Sequence, residues 1–240
     1  MDIIQALTGE LQVQRWQVEA AVKLIDEGNT IPFISRYRKE ATGSLNDEVL
    51  RNLHERLIYL RNLEEKKTQV LSSIREQEKL TPELEKAILE AQTLVVVEDL
   101  YRPYRPKRRT RATIAKEKGL EPLANIIALQ MTDRPLSEEA EPFVSEEKGV
   151  ANVQEALAGA MDILAETVSD EADYRIRIRK MTAKSGSISS TAKKEAEQSV
   201  YEMYYDFEEP ISRIAGHRVL ALNRGEKEKI LTVKVNAPEE

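Results

Sequence analysis

Between Tyr101 and Arg111 the chain reads YRPYRPKRRTR, and six of these residues are cations: Arg102, Arg105, Lys107, Arg108, Arg109 and Arg111. No acid interrupts them. The whole chain carries 36 basic and 42 acidic residues, a net of −6, and removing these six bases would take it to −12. Positive charge is therefore segregated into one short segment. Five of the six are arginines, whose planar fork binds phosphate or carboxylate through two parallel hydrogen bonds. Pro103 and Pro106 withhold the segment from a helix and favour extended, polyproline-like backbone. Tyr101 and Tyr104, interleaved with the prolines, offer rings that either stack on bases or fix the loop. This is the chemistry of polyanion recognition, and a nucleic-acid backbone is the partner that matches it. A second reading stands beside it, in which the same arginines reach back to acidic helices of their own protein and brace the fold. The two are compatible.

Catalytic chemistry is not legible in the chain. There is no cysteine, which excludes disulfides, thiolate metal sites and cysteine nucleophiles and is consistent with a reducing compartment. His54 and His217 are far apart and have no metal-ligand spacing around them. No glycine-rich phosphate loop and no nucleophile elbow appear. A non-enzymatic protein without metal or cofactor is expected. Residues 1–30 lack a basic region followed by an apolar run, and no stretch of about 18 apolar residues occurs. The expectation is a soluble, cytoplasmic protein with no membrane partner.

The elements that must position the basic segment are mostly helices. Charged residues make up 32% of the chain, and Gly and Pro number only nine each, so breakers are few and helix formers many. Ile3, Ile4 and Leu7 begin a short helix that Gly9 is expected to end. Trp16, Val18, Ala21, Val22 and Ile25 follow at helical spacing up to Gly28-Asn29, with Trp16 expected in the core. Thr30-Ile31-Pro32 opens another short helix, with Ile31, Ile34 and Tyr37 facing inward. Arg36, Arg38 and Lys39 form a smaller basic cluster around Tyr37, read as ordinary surface charge. Ser44 and Asp47 announce the longest pattern. From Leu45 through Val49, Leu53, Leu57, Leu60, Leu63, Val70, Leu71 and Ile74, apolar residues recur without Gly or Pro to Gln77. A helix of about 45–50 Å follows, packed within the chain because the spacing is not a clean heptad.

Thr81-Pro82-Glu83 starts the next helix, and Leu94–Val97 is either a buried turn of helix or an extended piece. Thr113 is expected to cap a helix that Gly119 ends, and Glu121-Pro122 to restart one, which together resemble a helix-turn-helix. Residues 135–142 read as a connector and 149–168 as an Ala-rich helix. Over 170–180, Tyr174, Ile176 and Ile178 alternate with Arg175, Arg177 and Arg179, yet the acidic lead-in and helical neighbours favour helix over strand. A Ser/Gly turn is expected over 184–190 and a helix over 192–205. Tyr201, Tyr204, Tyr205 and Phe207 form an aromatic cluster. Val219–Leu222 and Ile230–Val235 flank Asn223-Arg224-Gly225-Glu226, which predicts a β-hairpin. Two strands alone are marginal in water, so the C-terminus reads as leading into further structure.

Four blocks carry a resemblance: TIPFISRYRKEATGSL, EDLYRPYRPKRRTRATIAKEKGLEPLA, YYDFEEP and HRVLALNRGEKEK. In this order they resemble the Tex family of bacterial transcription accessory proteins, over essentially the whole chain but only the N-terminal part of the family. The resemblance implies longer proteins that continue into an RNase-H-like domain, helix–hairpin–helix elements and an OB-type RNA-binding barrel. It also implies likeness to a eukaryotic elongation factor acting on chromatin. Much of the family's nucleic-acid binding is associated with that barrel, and no catalytic residue is implied here.

The expected fold is mainly α: an irregular multi-helix array with a long central helix, a helix-turn-helix-like part and a small C-terminal β-hairpin. Residues 1–207 are the helical region, and 208–240 a helix plus hairpin leading toward an RNase-H-like domain. The expected function is a non-catalytic architectural module of a transcription accessory protein with auxiliary, weak, sequence-independent binding to DNA or RNA. The alternative is a scaffold that contacts the transcription machinery, its basic segment bracing the fold.

Overall fold

The computed structural model describes residues 2–106, 108–193 and 199–238. The protein is mainly α, with twelve α-helices and three strands among the described residues. It forms two compact units, Met1–Arg105 and Pro106–Glu240.

The first unit is organised by α4, Asp47–Glu76, a helix of 30 residues and so about 45 Å long. Leu50, Leu53, Leu57, Leu60, Leu63, Val70 and Ile74 are each at most 2% exposed. Their three- and four-residue steps draw one apolar stripe along the rod. Around it pack α1 (Ile3–Leu11), α2 (Arg15–Asp26), α3 (Ile31–Tyr37), α5 (Pro82–Glu90) and α6 (Leu94–Tyr101). Arg56 of α4 grips Glu10 of α1 through two hydrogen bonds, and Arg61 grips Asp26 of α2 at 2.7 and 2.8 Å.

Several expectations are corrected here. Gly9 lies inside α1, because a helix tolerates one glycine when its neighbours bury an apolar face. Trp16 is 52% exposed, its ring lying beside the backbone of Gly43 while Val18, Ala21 and Val22 take the core positions of α2. Tyr37 is 67% exposed, since buried Ile34 and half-buried Ile31 seat α3 on the core. The cap of α4 is Asn46, which accepts from the Val49 amide at 2.8 Å, and not Ser44, which adopts φ 62°.

The second unit contains α7 (Arg111–Glu117), α8 (Glu121–Leu129), α9 (Leu136–Ala140), α10 (Val153–Asp170), α11 (Ala172–Ser185) and α12 (Gly216–Lys227), with β1 (Ser187–Ala192), β2 (Asp206–Pro210) and β3 (Leu231–Asn236). Small residues let α10 approach α7: Ala112, Ala115, Ala156 and Ala160 are buried in one cluster. A Cβ at Gly159 would stand 2.4 Å from Leu120 Cδ1. The cap of α7 is Thr110, not Thr113, because its hydroxyl accepts the Thr113 amide. The 135–142 stretch is not a plain connector: it holds α9 and the start of a 3-10 turn, pinned by fully buried Ala140. The alternating stretch over 170–180 is helical, in α10 and α11.

The expected C-terminal hairpin is absent from the described residues. Residues 219–226 belong to α12, and β3 pairs with β1 in an antiparallel sheet of order β2-β1-β3. Gly225, read as a turn residue, is buried in α12 where a Cβ would meet Leu231 Cδ1 at 2.6 Å. The glycine serves close approach of β3. The 184–190 stretch, expected as a turn, is the end of α11, Gly186 and the first four residues of β1. The expected 192–205 helix is replaced at its C-terminal end by a 3-10 turn over Glu202–Tyr204, and 194–198 lie outside the described residues. Tyr201, Tyr204, Tyr205 and Phe207 do cluster, around Leu222 and Leu231.

Candidate nucleic-acid interface

The basic segment is divided between the two units. In the first, Thr93 caps α6 by accepting the Val96 amide, and Val97 buries its side chain completely. The helix stops at Tyr101, before Pro103, and one 3-10 turn over Arg102–Tyr104 follows. Arg105 then leaves with φ −66° and ψ 131°, the polyproline-like geometry its neighbour Pro106 favours. Both tyrosines serve as fasteners. The hydroxyls of Tyr101 and Ser73 share a hydrogen bond of 3.0 Å, Gln77 donates to the Tyr104 carbonyl at 3.0 Å, and both rings pack on the first core. Glu98 receives Lys66 at 2.6 Å and Arg105 at 3.6 Å. Arg102 is exposed.

In the second unit, Arg108 and Arg109 precede the Thr110 cap and Arg111 is the first residue of α7. Thr110 also donates to Glu166 of α10 at 3.0 Å, which fixes the start of the helix. Arg109 meets Glu117 at 2.7 Å and Arg111 meets Asp162 at 3.4 Å. Arg108 is exposed and has no hydrogen bond or ion pair among the described residues. Lys107 lies outside them.

The side chains of Arg105, Arg109 and Arg111 remain 64%, 68% and 86% exposed despite their partners. Exposed pairs of this kind contribute about 0–1 kcal/mol, so the guanidinium groups are held loosely and at the surface. The sequence did not reveal Ser73, Gln77 and Glu98, which fasten the first half. The available signal was the helical phase of α4, which places Ser73 and Gln77 one turn apart on one face.

No group of three or more His, Asp or Glu that could hold a metal occurs among the described residues. No described helix is long and apolar enough to cross a membrane.

Comparison with known proteins gives two family matches. Residues 1–75 match the Tex-like protein N-terminal domain, and residues 132–240 match the Tex central region. The chain belongs to the Tex family. It is 48% identical over 237 residues to the uncharacterized protein YdcI of Bacillus subtilis, covering 98% of this chain and 33% of YdcI. It is 41% identical over 235 residues to the transcriptional accessory protein Tex of Neisseria gonorrhoeae, covering 97% of this chain and 31% of that one. A human relative, S1 RNA-binding domain-containing protein 1, is 31% identical over 244 residues, covering 98% of this chain and 24% of its own length. The chain thus spans about a third or less of the Tex relatives it matches. Its basic segment falls between the two matched Tex regions.

Proposed function

We propose that this chain is a cytoplasmic, non-catalytic architectural module of a transcription accessory protein, with auxiliary sequence-independent phosphate binding. Arg102, Arg105, Arg108, Arg109 and Arg111 supply the contacts, and Lys107 joins them on its charge alone. Tyr101 and Tyr104 fix the loop. The observation that carries this reading is the exposure of Arg108 with no partner among the described residues, beside arginines whose own pairs leave them at least 64% exposed. Phosphate competes readily with carboxylates held so weakly. The relatives support the setting, one being named for transcription and another for RNA binding.

A second reading is favoured by the pairs themselves: Arg105–Glu98, Arg109–Glu117 and Arg111–Asp162 each tie the segment to its own unit. In it the chain is a scaffold that meets the transcription machinery, and the arginines brace the fold. Replacing Arg105, Arg108 and Arg109 together by Ala separates the two. Lost affinity for a labelled duplex at unchanged melting temperature favours phosphate binding. A lower melting temperature with unchanged affinity favours bracing.

A further inference from the structure

The first unit holds a second cationic surface that nothing above uses. Arg15, Arg51, Arg56, Arg61, Arg75 and Arg105 each reach a carboxylate. Arg36 and Arg38 reach none among the described residues, and neither does Lys39. All three are exposed and sit at the C-terminal end of α3 and the turn that follows. In a chain of net charge −6, three neighbouring cations that pair with no carboxylate among the described residues are a surface open to an anion.

Rings stand among them. Phe33 and Tyr37 lie one helical turn apart with centroids 5.3 Å apart and planes at 45°. The Arg38 guanidinium lies 5.2 Å from the Phe33 centroid. Tyr37 is 67% exposed, whereas Ile34, completely buried, seats the helix in the core. The Tyr37 ring is therefore left to solvent, flanked by Arg36 and Arg38. An acidic protein would use the charges and have no need of the ring. A nucleic acid uses both, stacking a base on the ring while its backbone meets the cations. Only unpaired bases offer their faces in this way.

We propose that α3 and the Arg38–Lys39 turn bind single-stranded nucleic acid, with a base on Tyr37 and phosphates on Arg36, Arg38 and Lys39. This surface shares no residue with the basic segment, so it is tested in a chain already carrying Ala at Arg105, Arg108 and Arg109. Labelled oligouridine of about twelve nucleotides, within the usual span of such sites, is compared with a duplex of equal length. Tyr37→Ala lowers single-strand affinity about fivefold or more, leaves duplex affinity unchanged and does not move the melting temperature. Tyr37→Phe retains binding. Ultraviolet crosslinks to oligouridine map to 33–39. Unchanged single-strand affinity in Tyr37→Ala, or crosslinks only elsewhere, overturns the proposal. So does binding of oligoglutamate that Arg36→Ala with Arg38→Ala abolishes while Tyr37→Ala spares oligouridine, which would assign the surface to an acidic protein. Failure of the triple Ala variant to weaken duplex binding counts against the basic segment alone.

Discussion

Gln77, the residue that ends α4, donates its side-chain amide to the Tyr104 carbonyl at 3.0 Å. The same amide reaches Ser73 Oγ at 3.5 Å, and Ser73 holds the Tyr101 hydroxyl. The first half of the basic segment is thus hung from the end of the helix that organises its unit. Removing the link loosens the segment without opening the core, since a hydrogen bond of this kind contributes about 0.5–1.5 kcal/mol net. In Gln77→Ala, amide exchange is expected to quicken across 101–105 while protection in the middle of α4 is kept. Equal exchange rates in the two proteins would remove the anchor from the argument.

Gly43 adopts φ 61°, and a Cβ placed there would stand 2.5 Å from Trp16 Cη2 and 2.6 Å from Gln17 Nε2. Gln17 donates that amide to the Thr42 and Gly43 carbonyls, so the turn before α4 is clasped by α2. Gly43→Ala incurs left-handed backbone strain of about 1–2 kcal/mol and pushes the indole away. A lower melting temperature is expected, together with a shift in the emission of the only tryptophan. Unaltered fluorescence would show that the ring does not rest on this turn.

The legibility of the fold followed burial. The stripe from Leu50 to Ile74 was readable because one long helix faces a single core and repeats its period many times. Trp16 and Gly225 misled for opposite reasons. Trp16 had the hydrophobicity of a core residue but caps a glycine turn, and Gly225 had the look of a turn but makes room for Leu231. β1 was hidden because SISSTA carries hydroxyls where a buried strand usually carries aliphatic side chains, and Ser190 satisfies its own by donating to the Tyr204 carbonyl. At the candidate site, charge and proline content located the segment. Its carboxylate partners were not visible, because Asp162 comes from α10 and becomes a neighbour of Arg111 only once α7 packs there.

The pairs Glu10–Arg56 and Asp26–Arg61 give stability a defined pH dependence. Hydrogen bonding to Arg56 lowers the Glu10 pKa from its ordinary 4.5, and hydrogen bonding to Arg61 lowers that of Asp26 from 3.8. A depressed carboxylate stabilises the folded state above its unfolded value and loses that contribution as pH falls through its folded value. Both pairs are substantially exposed, so each contributes about 1 kcal/mol at most. At neutral pH, Glu10→Gln with Asp26→Asn is expected to melt lower than the parent chain. The gap should narrow as pH drops below about 4, the region in which both carboxylates take up protons. A gap that stays constant through this range would mean the pairs do not hold α1 and α2 on α4.

Salt provides the most direct test of phosphate contact. Each cation that neutralises a duplex phosphate contributes about −0.9 to the slope of log K against log salt, so four contacts give about −3.6, and the Arg105, Arg108 and Arg109 triple Ala variant is expected to be shallower by up to about 2.7. Carboxylates already beside the arginines oppose this binding, because Arg109 must leave Glu117 to take a phosphate. Glu117→Gln removes that competitor and is expected to raise duplex affinity about twofold or more, in line with an exposed ion pair of a few tenths to 1 kcal/mol. The slope should stay near its parent value, since the number of cations is unchanged. Both effects are read from one anisotropy titration across a salt series. An affinity independent of salt would leave the arginines to the fold alone.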